Sequence, residues 1–529
     1  MVLDGGRWIL EQILMMIFQY SGFWQNKTFF LLDMLELALL LSIVILGLLA
    51  YLDTKKPKKF PPGPKWYPII GSAPQVRESR SRCGSLYEAT AEMSLYYGPI
   101  LGLKIGKDAI VVVYGPQEIK ELSLSEDFIG RPIGSFFEMR TWNKRRGILC
   151  TDNEFWQEQR RFLVRHLREF GFGSKNMSVL VEEEVSHLVD FINTTLNNET
   201  GSAIFNMETL FRVSVLNTLW QMMAGVRYSP EDHKMKKLQT ILAELFQTVH
   251  MVGAPFSHFP VLKYLAPEMS GYNCYINSHS KIWEFLQEEI NNHKNSFSPD
   301  HLRDLMDVYL SVVNTPDHGD SFSEEQLLAI CLDMFMAGSE TTNNTLSFCF
   351  LYLVLNPDIQ KKARQEIDAV LGDRAPCLYD RPNMPYMEAI VLEALRMFGC
   401  RAFAVPHRAL KNTYLGGYLI PKDTLVTANL HGCMMGPDSG FEKPEQFIPE
   451  RYLKDDGKIS VPENHIPFGL GKRRCMGESL ARANVFLFTT TILQKYEIHM
   501  VPEYPPDMKI VDGVTPAPIH YKAKITHRS

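Results

Sequence analysis

The 529 residues contain no CxxC pair, no GxxxxGK[ST] loop and, after residue 65, no repeat and no low-complexity linker. Each absence removes a class of function. Without the phosphate loop there is no basis for a P-loop nucleotide site, and "GLGKRR" lacks the third glycine of a dinucleotide fingerprint. The nine cysteines, at 83, 150, 274, 331, 349, 377, 400, 433 and 475, are odd in number and irregular in spacing. That pattern argues against a disulfide framework or a zinc cluster. Most are expected as small buried hydrophobes in a reducing compartment. A formal charge of -5 offers no general attraction for nucleic acid. With 22% charged and 45% hydrophobic residues the chain is globular in composition. Its length allows one large core or several domains.

One long apolar run is present. Residues 37 to 52 carry no charge, and 31 to 36 extend the run with Asp33 and Glu36 inside it. At about 1.5 Å per residue, residues 31–52 can cross a hydrocarbon layer of roughly 30 Å. A buried core helix or a cleaved signal peptide is the alternative, but no small-residue cleavage pattern follows. Lys55, Lys56, Lys58 and Lys59 come next and place the downstream body on the cytoplasmic side. The expected organisation is an N-terminal extension over 1–30, a transmembrane signal-anchor over 31–52, a basic and Pro-rich linker over 53–64, and one domain over 65–529. "PPGP" (61–64) reads as a helix stop and a stiff spacer. The apolar stretch 8–18 is luminal or interfacial. On this topology the sequon at Asn26 is luminal and usable, and those at Asn176, Asn193, Asn198 and Asn343 are cytoplasmic and idle.

"ILGLKIGKDAIVVVYGP" (100–116) reads as two short strands turned at Gly106. Helical patterns dominate 117 to 400, a strand returns around Thr424 to Leu430, and irregular Pro-rich chain fills 435 to 465. The expected fold is mainly α with a minor β region. A long, almost wholly apolar helix is expected from Ser321 to Pro357, with Ser321 and Glu324 as a capping box. Its centre, "AGSETTNN" (337–344), is poor helix material. One account is helix packing at Gly338 and bending at the hydroxyls. The other is a groove in which Gly338 admits a flat ligand and Glu340 with Thr341 supplies protons.

Three further patterns carry charge at helical spacing. In "VLEALRMFG", Glu393 and Arg396 share a face among apolar neighbours, and Arg451 of "FIPERYL" is a candidate third member of a buried triad. In "FWQEQRRFLVRHL", Trp156 and Arg160 lie one turn apart, either as part of an amphipathic surface helix or aimed together at an anion. In "PFGLGKRRCMGESLARA", Cys475 sits between glycines, beside three cations and at the start of a helix near Gly477. Those neighbours are expected to favour its thiolate. A thiolate without a nearby general base suits a metal ligand, and haem iron takes such a ligand when oxygen is to be cleaved.

These motifs together resemble the cytochrome P-450 superfamily. "FGLGKRRCMG" is similar to its FxxGxRxCxG signature, "AGSETT" to its oxygen-activating helix, "EALR" to its ExxR, "FIPER" to its meander and "WQEQR" to its WxxxR. "GILCTDNEFWQEQRRFLVRHLREFGFG" and "ICLDMFMAGSETTN" resemble the insect 303 family. Glu340 stands where many relatives have Asp, and the stretch before the anchor is longer than usual. The resemblance implies a haem-thiolate monooxygenase of mostly helical fold, with a haem b cofactor, O2, and electrons from an NADPH-dependent reductase or cytochrome b5. It implies Cys475 as the axial iron ligand. Arg131, Trp156, Arg160, His407 and Arg473 would hold the haem propionates, and Glu340 and Thr341 would relay protons. Glu393, Arg396 and Arg451 would be structural. The anchor is similar to that of members held in the endoplasmic reticulum membrane. Arg161, Arg165, Arg168 and Lys472 would give a basic docking face.

The expected substrate is lipophilic, sterol-like or ecdysteroid-like, with detoxification of foreign compounds as the other role. It would lie among residues 132–148, 240–262, 333–342 and 401–406. A haem-thiolate isomerase or dehydratase, and a non-catalytic haem carrier, are the competing functions.

Overall fold

The computed structural model describes residues 27–528 apart from 174, 200, 317 and 318. The apolar stretch at 8–18 and the sequon at Asn26 lie outside the described residues. The first helix, Lys27–Asp53, begins before the expected run. Its Met34–Asp53 portion has mean hydropathy 2.5 and none of it is buried against the rest of the chain. It is long and apolar enough to cross a membrane, which fits an anchor.

The basic and Pro-rich stretch after it does not stand off as a spacer. Gly102 N donates to Pro62 O at 2.7 Å, and Leu419 N donates to Lys59 O at 2.9 Å. Phe60 is buried and meets Trp66 edge-on at 5.6 Å. Proline lacks an N–H but keeps its carbonyl, so the segment can cap a sheet edge and still accept from it. Asp53 closes the junction by pairing with Lys104 and accepting from Ile69 N at 2.8 Å. The strap passes so close that a Cβ on Gly63 would lie 2.1 Å from Gly102 O. Gly63→Ala is therefore expected to loosen the strap and raise the rate of limited proteolysis between residues 54 and 66 several-fold. An unchanged cleavage rate would show that the contact does not hold the segment down.

The strap covers a four-stranded sheet. In spatial order its strands are Ile100–Ile105, Asp108–Val113, Leu425–Ala428 and His407–Arg408. The first two pair antiparallel around the expected turn at Gly106, with Ile105 opposite Asp108. The Leu425–Ala428 strand runs parallel to the second and antiparallel to the fourth. A three-stranded sheet closes the other end of the chain. In it Lys522–His527 lies between Ser202–Asn206 and Tyr496–Met500.

Helices make up most of the rest, as the apolar periodicity predicts. The longest, Glu324–Leu355, has 32 residues and spans about 48 Å. It is buried along most of its length among the helices Arg212–Ala224, Tyr272–Asn295, Pro385–Gly399 and Glu478–Lys495. Its N-cap is Ser323, whose hydroxyl accepts from Gln326 N at 3.1 Å, and not Ser321. The Ser321 hydroxyl is already taken: it donates to Glu158 Oε2 at 2.5 Å and accepts from Gln159. The helix ends at Asn356, and Pro357 opens the next one.

Candidate active site

The helix centre and the cysteine loop are the two places where buried structure opens. Met334 and Phe335 are buried, Ala337 is exposed and Thr341 is half-buried, in the middle of the core's longest helix. Among the nine cysteines, none of them in a disulfide, Cys475 is the exposed one. It follows a tight turn in which Gly469 and Gly471 adopt φ of +71° and +70°, a region costly for other residues. The turn brings Cys475 N to Phe468 O at 3.0 Å. The helix Glu478–Lys495 starts just beyond, with Gly477 as its N-cap.

The cations flanking Cys475 do not serve it as expected. Lys472 pairs with Glu126, Arg474 pairs with Glu478, and Arg473 lies over the Trp156 ring, 3.7 Å from its centre. The surrounding protein pushes the Cys475 thiol up, against the pull of the Gly477 N–H and of Arg160 and Arg474. A free thiolate is therefore not favoured here, and a coordinating metal is what deprotonates such a sulfur.

The five residues expected around the propionates do converge, although they come from four separate stretches of chain. Arg473 Nε donates to Ile129 O at 3.0 Å and its Nη2 donates to Thr151 O at 2.7 Å. Arg131 Nη1 donates to Val405 O at 2.7 Å and to Pro406 O at 3.0 Å. Arg160 also lies by the Trp156 ring, 5.6 Å from its centre, and donates to Arg474 O at 3.1 Å. His407 Nδ1 lies 2.7 Å from Phe128 O. A carbonyl only accepts, so Nδ1 carries the proton.

This group is short of negative charge. Arg473 Nη1 and Arg131 Nε are buried and have no partner. Burial, with Arg131 beside it, pulls Arg473 down to about 8, and burial pulls Arg131 down to about 10. Burial and the charge of Arg131 pull His407 down to about 3. Asp152 cannot answer the demand, because it is already held by Arg145 at 2.9 Å and Arg408 at 2.8 Å. Stranded buried cations are costly, and anionic groups with acceptor oxygens relieve them. The residues thus fit the acid groups of a buried cofactor. His407 would join them through Nε2 once a facing carboxylate stabilised its second proton.

The acid and the alcohol of the long helix are not side by side. Successive helical residues point about 100° apart. Thr341 lies on the open face and donates to Ala337 O at 2.8 Å. Glu340 is buried on another face, with Oε1 3.7 Å from Arg212 Nε and no hydrogen bond. Burial pushes its carboxyl up, against the pull of Arg212. Gly338 serves packing and not a flat ligand: a Cβ there would lie 2.5 Å from Leu219 Cδ2 of the neighbouring helix.

The structural triad forms. Arg396 makes two bonds to Glu393, at 2.7 and 2.8 Å, and Arg451 Nε adds a third at 3.1 Å. Ile448 N also donates to Glu393, and Arg396 reaches Met434 O at 2.8 Å. The sequence reading missed the Arg145–Asp152–Arg408 network that braces the Arg131 loop, and Arg212 as the partner of Glu340. Neither has a local motif: Arg408 lies 256 residues from Asp152, and Arg212 and Glu340 come from different helices.

An exposed cysteine behind a glycine turn, an opening in the long buried helix, and buried cations short of acids are the features of a haem-thiolate protein. The chain belongs to the cytochrome P450 family, whose model matches residues 61–524. A probable cytochrome P450 303a1 of Drosophila melanogaster is 46% identical over 90% of this chain and 95% of its own length. The farnesoate epoxidase of Bombyx mori is 37% identical over 86% of this chain and 91% of its own. Cytochrome P450 2J3 of Rattus norvegicus is 32% identical over 87% and 90%. The chain is thus a monooxygenase that uses haem iron with thiolate ligation, dioxygen, a redox partner and a small-molecule substrate.

Proposed function

We propose that the Cys475 sulfur would hold the haem iron, that Arg131, Trp156, Arg160, His407 and Arg473 would hold the haem propionates, and that Thr341 and Glu340 would manage protons for the bound group. The unpartnered N–H groups of Arg131 and Arg473 carry this reading, because they supply buried donors for acids, and Arg473 is two residues from the exposed Cys475. Haem, when bound, supplies dioxygen activation and insertion of one oxygen atom into a C–H or C=C bond. The chain's own task is to hold it, exclude water and deliver protons. Thr341 keeps its oxygen lone pairs toward the open face while its proton rests on Ala337 O. Burial pushes the Glu340 carboxyl up, against the pull of Arg212, which is the direction that suits a proton donor.

Electrons would come from an NADPH-dependent reductase, with cytochrome b5 as a further donor. Arg161, Arg165 and Arg168 support a docking face near the cysteine loop: all three are exposed on one helix. Lys472, expected with them, is engaged by Glu126. The anchor would be retained in the endoplasmic reticulum membrane, with the body at 65–529 facing the cytoplasm and the strap at 53–64 between them. The substrate would be a lipophilic endogenous compound, either sterol-like or a terpenoid of the kind named for the Bombyx mori relative.

Thr341→Ala is expected to keep haem and its spectrum while diverting reductant into hydrogen peroxide. Product formed per NADPH should fall about tenfold or more. Unaltered coupling in this variant would remove Thr341 from proton delivery.

A further inference from the structure

The loop docked on the long helix at Asp333 carries a buried polar cluster. Arg140 Nη2 pairs with Asp333 Oδ1 at 2.6 Å, and both side chains are almost wholly buried. Asp333 Oδ2 also accepts from Ile148 N at 2.7 Å and Leu149 N at 2.9 Å, which locks the loop to the long helix. A third helix, Tyr272–Asn295, presents Tyr275, His279 and Trp283 on one face, four residues apart. Trp283 Nε1 donates to Arg140 O at 3.1 Å, and Tyr275 donates to Phe136 O. His279 lies between them, its ring centre 4.4 Å from that of Tyr275 and 5.9 Å from that of Trp283.

Asp333 Oδ1 has its ion pair with Arg140 but no hydrogen bond, and two further buried atoms, Arg140 Nη1 and His279 Nε2, have no hydrogen bond either. Their chemistry is opposite. Arg140 Nη1 is a donor. His279 Nδ1 lies 2.7 Å from Tyr275 O, so Nδ1 carries the proton. Burial and the charge of Arg140 pull His279 down to about 3, so its ring is neutral and Nε2 is an acceptor. Asp333 already balances the charge of Arg140. Beside that ion pair the cluster holds one unpaired donor and one unpaired acceptor, with no net charge.

We propose that Arg140 and His279 bind an uncharged hydroxyl group at one end of the lipophilic substrate. A hydroxyl accepts from Arg140 and donates to His279, satisfying both atoms at once. A carboxylate could satisfy the donor but would face the His279 lone pair. The position also fixes which end is oxidised. Asp333, Ala337 and Thr341 lie on one face of the helix, and Asp333 is eight residues from Thr341. The bound hydroxyl would thus sit about 12 Å along the helix from Thr341, and oxidation would fall on the far end of the molecule. This rests on the reading of the Thr341 region as the oxidation site.

The test is equilibrium binding to the full-length haem-loaded chain in detergent, by dialysis, without reductant. The probes are matched sets of alcohol, ketone, hydrocarbon and carboxylate on a dodecyl chain, a farnesyl chain and a cholestane nucleus. On at least one skeleton the alcohol should bind at least about tenfold tighter than the hydrocarbon and tighter than the carboxylate. His279→Phe keeps the ring packing and removes the acceptor. It should erase the alcohol's advantage over the ketone and leave ketone and hydrocarbon binding unchanged. Equal binding of alcohol and hydrocarbon, preference for the carboxylate, no binding of any set, or an unaltered alcohol preference in His279→Phe overturns the proposal. Failure of the haem-thiolate assignment would show separately, in the carbon monoxide spectrum of the same preparation.

Discussion

Cys475→Ala, purified from cells supplied with haem, is expected to lose the absorption band that marks a thiolate trans to carbon monoxide. The reason is geometric as well as chemical. Cys150, Cys331, Cys349, Cys400 and Cys433 are buried, and Cys83, Cys274 and Cys377 are half-buried elsewhere. No second thiol stands beside Cys475 to take its place. Its helix and turn remain, because Cys475 N, not its sulfur, makes the bond to Phe468 O. The variant should therefore fold and keep the cations for the propionates, and haem should bind weakly with a different axial partner. The measurement is the reduced carbon monoxide difference spectrum, per mole of folded protein. A thiolate band of normal intensity in the variant would place the ligand elsewhere and end the proposed function.

Glu393→Gln is expected to be the most destabilising conservative change outside the haem site. Glu393 and Arg396 have no exposure, and Arg451 is nearly as deep. Removing the carboxylate charge leaves two guanidinium groups in the core with one acid between them gone. Losing one partner of a buried ion pair costs about 3–5 kcal/mol. That is a large share of the roughly 5–15 kcal/mol that holds a typical domain folded. The control is Lys362→Ala, which breaks the exposed pair with Glu450 and should cost about 0–1 kcal/mol. Arg396→Lys should resemble Glu393→Gln, because an ammonium cannot replace two bonds to the carboxylate and one to Met434 O. Denaturant midpoints and haem content measure all three. A Glu393→Gln midpoint equal to that of Lys362→Ala would show that the triad contributes no stability.

Both predictions begin with motifs that are local in sequence, and that is why they were readable there. Glu393 and Arg396 share a helical turn, and Trp156 and Arg160 share another. Cys475 follows two glycines whose positive φ makes the turn. The apolar run before Asp53 needs no partner to be recognised. By contrast, Ser321 looked like the helix cap by spacing, but Glu158 and Gln159, far away in sequence, claim its hydroxyl. Glu340 and Thr341 looked like a relay by adjacency, yet adjacency on a helix separates two side chains.

Taken alone, the sequence determined the chemistry: a mainly helical haem-thiolate monooxygenase with an apolar N-terminal helix, because its ligand, its helix motif and its ion pair are each written within a few residues. Tertiary structure decided what those groups face. It gave the cations beside Cys475 partners of their own, tied the Pro-rich strap to a sheet edge, and set Arg140 of one loop against Asp333 and His279 of two helices. Most such contacts join residues far apart in the chain, where helical and strand periodicity carry no information, and only the packing of a shared core specifies which polar atoms meet and which are left for a ligand.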